Sequence, residues 1–414
     1  MAVPSSDIDS FSPDAMRLFY RRLYPFRSIF TWLNQQHAPT RLFTHREFAF
    51  TLPGDIYLRY NSFPNAEELK KQVCNLNPSR FEIGPMYSVR PKDRRTARQG
   101  AFFPVQRELV FDIDMTDYDP IRTCCSAAAI CKRCWGFISA AVQVLDTAIR
   151  DQFGYQHLLW VYSGRRGIHL WVSDEEAMEL TDDERRAMVN WLTVVQGGKE
   201  PGKKVNVRIG SRALPPSLQE CLQDLAEVFT ELILEDQDCF ATEEGYEALL
   251  KLLPVPDVVD ALRTKWSADP TRASSEKWSD LKAQIKKSSE KALLTAALED
   301  IILQYTYPRL DAEVSKHRNH LLKAPFVVHP GTGRVCVPVD PTRIDEFDPE
   351  KVPTVGQLLE ELNRTEGEGE EESGDHDSDW QRTSLKPYVE MLDKHVSHIM
   401  NDIRKVNLEN DMTW

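Results

Sequence analysis

Glu108-Leu109-Val110-Phe111-Asp112-Ile113-Asp114-Met115 is an apolar run carrying two carboxylates two residues apart. Successive side chains of a strand alternate between faces, so Leu109, Phe111 and Ile113 share one face and Val110, Asp112 and Asp114 the other. The two acids therefore stand side by side. Carboxylates crowded together in apolar surroundings repel each other and lose hydration, and divalent cations between them remove both penalties. Metal-dependent chemistry is the first functional expectation, set against the plainer one that Asp112 and Asp114 line the solvent face of an edge strand.

Upstream lies a basic loop, Arg90-Pro91-Lys92-Asp93-Arg94-Arg95-Thr96-Ala97-Arg98, suited either to open solvent or to nucleic-acid phosphates. Before it, 47–52 and 56–60 have strand patterns around the turn signature Pro53-Gly54-Asp55, which predicts a hairpin. Alternation alone does not assign Arg59 to either face of it. Residues 66–73 read as helix and 81–89 as extended. Near the start, Met16, Phe19, Tyr20 and Leu23 recur at helical spacing behind Ser12 or Asp14 as cap.

Downstream, Cys124, Cys125, Cys131 and Cys134 place four thiols in one short loop and helix start, with Cys131 and Cys134 at the Cys-x2-Cys spacing of tetrahedral zinc sites. Four ligands describe a closed structural zinc site; an unmetallated cysteine group or a redox pair is the alternative. A long amphipathic helix follows over 135–149. Two strands, 157–163 and 168–172, then flank Gly164-Arg165-Arg166-Gly167, a tight reversal with guanidinium groups beside exposed backbone, good geometry for phosphate. His169 stands next to this turn as a further phosphate-ligand candidate.

From about 182 to 302 the pattern is almost wholly helical, broken at Pro254, Pro256 and Pro270, with a basic and mobile loop expected at 203–208. Strand character is read again at 305–311, ending on Asp311, a candidate third metal ligand. A hairpin is expected over 327–339 around Pro330-Gly331-Thr332-Gly333, with Lys323 and His329 as candidate phosphate ligands. The stretch 365–379 is acidic, Gly-rich and too polar to fold alone, and 387–406 closes the chain as an amphipathic helix.

The chain of 414 residues is long enough for two or three structural units and carries a formal charge of −13. Eight of those charges belong to acids between Glu366 and Asp379, where no Lys or Arg occurs, which leaves −5 for the remainder. Net charge therefore does not exclude a polyanionic partner held by a local basic cluster. No basic region followed by an apolar stretch opens the chain, and no apolar segment approaches the ~20 residues of a membrane span, so secretion and membrane insertion are not expected. The uneven spread of eight cysteines fits a reducing, intracellular compartment.

Taken together, the Asp-x-Asp of 108–115, the Ser163-Gly164-Arg165-Arg166-Gly167-Ile168-His169 turn, the Cys-Cys-x5-Cys-x2-Cys cluster, and Asp311-x3-Ser315-Lys316 followed by 320–326 resemble the small catalytic subunit of eukaryotic DNA primases. Arg46-Glu47-Phe48 and 57–63 extend the likeness towards the start; it is weakest in the helical region and the acidic stretch. The resemblance implies a mixed α/β (α+β) archaeo-eukaryotic primase fold, with two antiparallel-rich sheets around a cleft, a small zinc module and an all-helical subdomain. The corresponding division is a first core part at 1–200, with the zinc module at about 120–136, a helical subdomain at 201–302, a second core part at 303–356, a helix and acidic disordered linker at 357–380, and a C-terminal helix at 381–414.

It further implies that Asp112, Asp114 and Asp311 bind two Mg²⁺ or Mn²⁺ ions, that Arg59, Ser163, Arg165, Arg166, His169, Lys323 and His329 contact the incoming nucleotide, and that Cys124, Cys125, Cys131 and Cys134 hold structural Zn²⁺. Arg80 and Glu82 stand where relatives carry Lys and Asp, keeping the charge but changing the reach. The implied activity is synthesis of short RNA primers on single-stranded DNA from ribonucleoside triphosphates. The implied partners are the large primase subunit and the catalytic and accessory subunits of DNA polymerase alpha, in the nucleus. The competing readings are a primase-fold polymerase for repair or repriming, an Asp-x-Asp glycosyltransferase, which has no need of a third acid, and a non-catalytic nucleic-acid-binding subunit.

Overall fold

The computed structural model describes residues 12–196, 202–208, 213–367 and 376–412. Among the described residues nine strands are arranged in two antiparallel sheets: β1 (Arg46–Leu52), β2 (Ile56–Asn61), β3 (Arg80–Tyr87), β4 (Pro104–Gln106), β5 (Leu109–Asp114), β6 (Leu158–Tyr162), β7 (Gly167–Val172), β8 (Leu322–Lys323) and β9 (Pro338–Val339). The first sheet runs β2-β1-β3-β4 with β8 also on β3, and the second runs β5-β7-β6-β9. This is a mixed α/β architecture, as the sequence led one to expect.

The alternation in β5 is realised. Leu109, Phe111 and Ile113 are fully buried, whereas the Asp112 and Asp114 carboxylates keep 27% and 37% exposure. Strand β5 pairs with β7 so that Asp112 lies opposite His169 and Asp114 opposite Gly167. Against β6 of the same sheet lies the helix Lys132–Phe153, with Trp135 on Tyr162 and Asp146 accepting from Trp160 Nε1; it starts at Cys131 and stops at Gly154, whose φ of 79° is the left-handed cap that ends helices. Its apolar stripe, including Trp135, Ile138, Val142, Leu145 and Ile149, is buried, each large side chain contributing roughly 1.5–3 kcal/mol.

The two sheets are tied by a charge cluster at the entrance to β5. Glu108, 1% exposed, accepts from Arg46 Nη1 and Nη2 at 2.8 and 2.9 Å and from Arg107 Nη1 at 2.9 Å. Arg46 belongs to β1 and also donates to the Gly84 carbonyl of β3 at 3.1 Å, so one buried carboxylate sets how the acid-bearing strand meets the first sheet.

Ser12 is the helix cap, accepting from the Ala15 N–H at 3.1 Å, and the 53–55 hairpin forms. Three local expectations are corrected. Residues 305–306 are not strand: the helix Lys291–Thr306 runs through them, because Tyr305 continues its buried stripe against Phe229 and Phe240. The 327–339 hairpin forms only as far as Cys336, with the His329 N–H donating to the Arg334 carbonyl and the Cys336 N–H to the Val327 carbonyl, both at 2.9 Å; beyond it the chain leaves the hairpin as β9, which pairs with β6 instead. The 203–208 loop is not free: Lys203 and Arg208 both pair with the buried Asp300 at 2.8 Å. Most of the acidic stretch lies outside the described residues, but Asp379 is buried and paired with Arg22 at 2.6 Å.

Candidate active site

The two sheets face each other across a cavity of 260 Å³ lined by Arg80 and Glu82 of β3, Asp112 and Asp114 of β5, the 163–169 turn and strand, Leu321 to Lys323, and His329. A larger groove of 660 Å³, bordered by Arg41, Phe103 and Met178, lacks such a convergence of charged groups. Chemistry is assigned to the smaller cavity on that ground.

The turn between β6 and β7 is held from several sides. The Ser163 N–H donates to the Gly167 carbonyl and the Gly167 N–H to Ser163 Oγ, both at 2.9 Å. The Tyr162 hydroxyl donates to the Arg165 carbonyl at 2.9 Å and that of Thr332 to the Gly164 carbonyl at 2.6 Å. Both glycines are required: Gly164 has φ +87° with His329 Cβ only 2.6 Å from where a Cβ would stand, and at Gly167 a Cβ would meet the Ile113 carbonyl oxygen at 2.5 Å. The close backbone approach at Gly167 is what lets the turn lie against Asp114.

The two acids of β5 are not equivalent. Asp112 is pushed up to about 7 by burial and then by the charges of Asp114 and Asp311, with Lys323 opposing. Burial acts on Asp114 too, but the Thr116 N–H at 2.8 Å and Arg166 Nε at 2.9 and 3.1 Å outweigh it and hold its carboxyl below the usual range. Asp311 is not among the cavity-lining residues. Its N–H donates to the Asp112 carbonyl at 3.1 Å, which brings a third carboxylate beside the pair. An excess of carboxylates that raises one of their own members suits divalent cations with oxygen ligands.

Opposite the acids the cavity is cationic. Lys323 donates to the Ser163 carbonyl at 3.0 Å. His329 is lowered to about 4 by burial and then by Lys323, Arg165, Arg80 and Arg166. Its Nδ1 accepts from the Gly331 N–H at 3.0 Å, so the neutral ring carries its proton on Nε2 as a donor. Burial, and next Lys323, lower His169 to about 3; this neutral ring lies 3.6 Å from Asp112 Oδ1, too far for a hydrogen bond.

Arg59 does not line this cavity. It forms a two-pronged pair with the buried Glu47 at 2.9 and 3.1 Å. Glu47 also accepts from the Tyr60 N–H and the Tyr87 hydroxyl at 3.0 and 3.1 Å, and Tyr57 donates to Glu82 on the cavity wall. Sequence reasoning gave Glu47 and Tyr57 no role; the available signal was a Glu in an otherwise apolar strand across a hairpin from an Arg.

The cysteine cluster is a separate centre. The sulfur atoms of Cys124, Cys125, Cys131 and Cys134 all lie within 4.8 Å of one another. Cys131 is 3.7 Å from Cys124 and 3.9 Å from Cys134, close to the ~3.8 Å edge of a tetrahedron with 2.3 Å zinc–sulfur bonds. Arg122 donates to Cys134 at 3.7 Å and Gln237 to Cys124 at 3.4 Å, supporting contacts of the kind that orient metal thiolates. The group fits structural zinc. Gln237 was not anticipated, being 113 residues from its cysteine.

A family model described as DNA primase small subunit matches residues 111–341. The protein named DNA primase small subunit in Schizosaccharomyces pombe is 53% identical over 355 residues, covering 85% of this chain and 78% of its own length. That of Saccharomyces cerevisiae is 38% identical over 412 residues, 97% and 95% of the two chains. That of Drosophila melanogaster is 40% identical over 369 residues, 84% and 82%.

Proposed function

This chain belongs to the DNA primase small-subunit family, and from that premise we propose that its cleft joins ribonucleoside triphosphates into short RNA primers on single-stranded DNA by two-metal nucleotidyl transfer. The observation that carries the reading is the meeting, in one cavity, of the Asp112 and Asp114 carboxylates with Ser163, Arg165, Arg166, His169, Lys323 and His329. Anionic and cationic walls facing each other are what a metal-bound triphosphate requires.

In this reading Asp112, Asp114 and Asp311 hold two Mg²⁺ or Mn²⁺ ions, which when bound supply activation of the primer 3′-hydroxyl and neutralisation of phosphate charge. The chain's own groups do the rest. Arg165, Lys323 and the His329 Nε2–H bind the β- and γ-phosphates and neutralise the pyrophosphate charge as it grows. Arg166 keeps Asp114 ionised and stands beside the phosphate site, so it links the two walls. The fixed 163–167 turn contributes position: its geometry is set before substrate arrives and costs no reorganisation during reaction. Arg59, clamped by Glu47 outside the cavity lining, would contact the nucleotide only by leaving that pair.

Membership of the family implies a complex with a partner subunit. The finer assignment is a heterodimer with a large primase subunit, associated with the catalytic and accessory subunits of DNA polymerase alpha in the nucleus, with Zn²⁺ at Cys124, Cys125, Cys131 and Cys134. The test is incorporation of ribonucleotides on an unprimed single-stranded template with Mg²⁺ or Mn²⁺. Asp114→Ala is expected to abolish it, and synthesis that survives this change would remove the metal assignment.

A further inference from the structure

The basic loop at 90–98 has no part in the site described above, yet it is built onto the same sheet face. Tyr60 connects the two. Its ring receives the Arg59 guanidinium at 4.8 Å and that of Arg94 at 3.9 Å, and its N–H is held by Glu47. Tyr87, bound to Glu47 through its hydroxyl, stacks on Phe102 at 4.2 Å and 5°, and Phe102 in turn lies against Tyr60 at 5.9 Å. Strand β2 thus presents Tyr57 to Glu82 on the cavity wall and, two and three residues on, Arg59 and Tyr60 to Glu47 and the aromatic group that carries Arg94.

The loop is also fixed, unlike a solvated charge run. The short helix Pro91–Asp93 starts it, Arg90 pairs with Asp93 at 2.7 Å, and the Thr96 N–H donates to the Asp93 carbonyl at 3.0 Å. At its far end the Ser88 N–H and the Phe103 carbonyl close it at 3.0 Å. Within nine residues it carries five cations against one acid. Lys92, Arg95 and Arg98 are exposed and make no ion pair among the described residues. Exposed, unpaired cations on a loop whose backbone is tied down, in an otherwise acidic chain, attract a phosphate backbone.

We propose that loop 90–98 is a backbone track for the single-stranded template, reached from the catalytic cavity across Tyr60. This rests on the primase reading for the identity of the strand. Each phosphate contact on a single strand adds about 0.7 to the slope of log affinity against log salt. Loss of two contacts should therefore lower that slope by about 1.4 and weaken binding at 0.1 M salt by roughly 25-fold.

The experiment is fluorescence anisotropy of a labelled single-stranded oligonucleotide with the full chain, across a salt series. Arg95→Gln/Arg98→Gln should produce both changes, with Lys92→Gln adding a further step of about fivefold; Arg95→Lys/Arg98→Lys should retain wild-type affinity, which a purely structural role for the guanidinium groups would not allow. Unaltered affinity and slope in the Gln variants would overturn the proposal, as would equal loss in the Lys variant. If the wild type incorporates ribonucleotides while the Gln variants bind DNA normally, the primase reading stands and the track falls. If the variants lose DNA binding but the wild type incorporates nothing, the track stands and the primase reading falls.

Discussion

Removing the Glu108 carboxylate should be among the most destabilising single changes available in this protein. The group is 1% exposed and is shared by Arg46, fully buried, and Arg107, also fully buried. Burial already lowers Arg107 to about 10 even though Glu108 works in the opposite direction. Glu108→Ala would leave two guanidinium groups in the interior with their acid gone. Breaking one buried pair costs about 3–5 kcal/mol, mostly because the remaining charge is uncompensated. With two cations affected, about 5 kcal/mol is expected for Ala and about 3 for Glu108→Gln, which keeps an acceptor oxygen. Against a typical total of roughly 5–15 kcal/mol, the Ala variant sits at the edge of folding.

The sign of the pH dependence follows from the same contacts. Burial alone would raise the Glu108 carboxyl, but Arg46 and Arg107 outweigh it and hold it below its ordinary value. Its contribution is therefore present above the unfolded value of about 4.3 and is lost as pH falls through the folded one. Equilibrium urea unfolding, followed by tryptophan fluorescence and circular dichroism at pH 7 and through the acid range, reads both effects. Glu108→Gln should be less stable at pH 7 and show a flatter acid limb than wild type. A cost below about 1 kcal/mol for both variants would refute the view that this carboxylate compensates two buried charges.

Three further outcomes are expected. Gly164→Ala forces an L residue to φ +87° and brings its Cβ onto His329 Cβ, so it should lose about 1–3 kcal/mol in thermal unfolding and weaken nucleotide affinity in a direct binding assay. Cys131→Ser should lower the zinc content, measured by atomic emission, from one ion per chain towards zero and make the 120–136 segment the first site of limited proteolysis; full retention of zinc would remove Cys131 from the ligand set. His395 is held at about 3 by burial and then by His157 and His398. Its stabilising effect is complete above the unfolded value of about 6.5 and is lost as pH falls towards 3, so His395→Phe should reduce the loss of melting temperature between pH 6.5 and 4.

Features with a short repeat were legible in the sequence. The period of two in 108–115 placed Asp112 and Asp114 on one face, and the paired glycines around Arg165 and Arg166 marked the turn that the structure fastens at Ser163 and Gly167. The four thiols within eleven residues announced their own cluster. What escaped depends on contacts between distant segments. Glu108 opens the decisive stretch, yet its partner Arg46 is 62 residues away, and no local pattern distinguishes a buried acid from an exposed one at a strand entrance. Gln237 reaches Cys124 from the helical region for the same reason. At 305–311 the apolar alternation was misleading, since Tyr305 faces Phe229 and Phe240 as the last turn of a helix, and only the Asp311 N–H recovers an extended contact, with the Asp112 carbonyl.

The Asp-x-Asp pair shows where periodicity stops being sufficient. Alternation treats the two carboxylates as interchangeable neighbours on one face. Their cross-strand partners differ, however, because β7 enters the register immediately after the turn: Asp114 faces Gly167, the one residue that admits the turn backbone so closely, and Asp112 faces His169. Arg166, next to that glycine, therefore reaches Asp114, while Asp112 has only a neutral ring opposite it and Asp311 alongside. One acid is kept charged by the 163–167 turn, and the other is raised by burial and then by its own neighbours. The glycine that permits the turn is thus also what divides the pair, so the carboxylate wall and the cationic wall of the cleft are set by a single strand register.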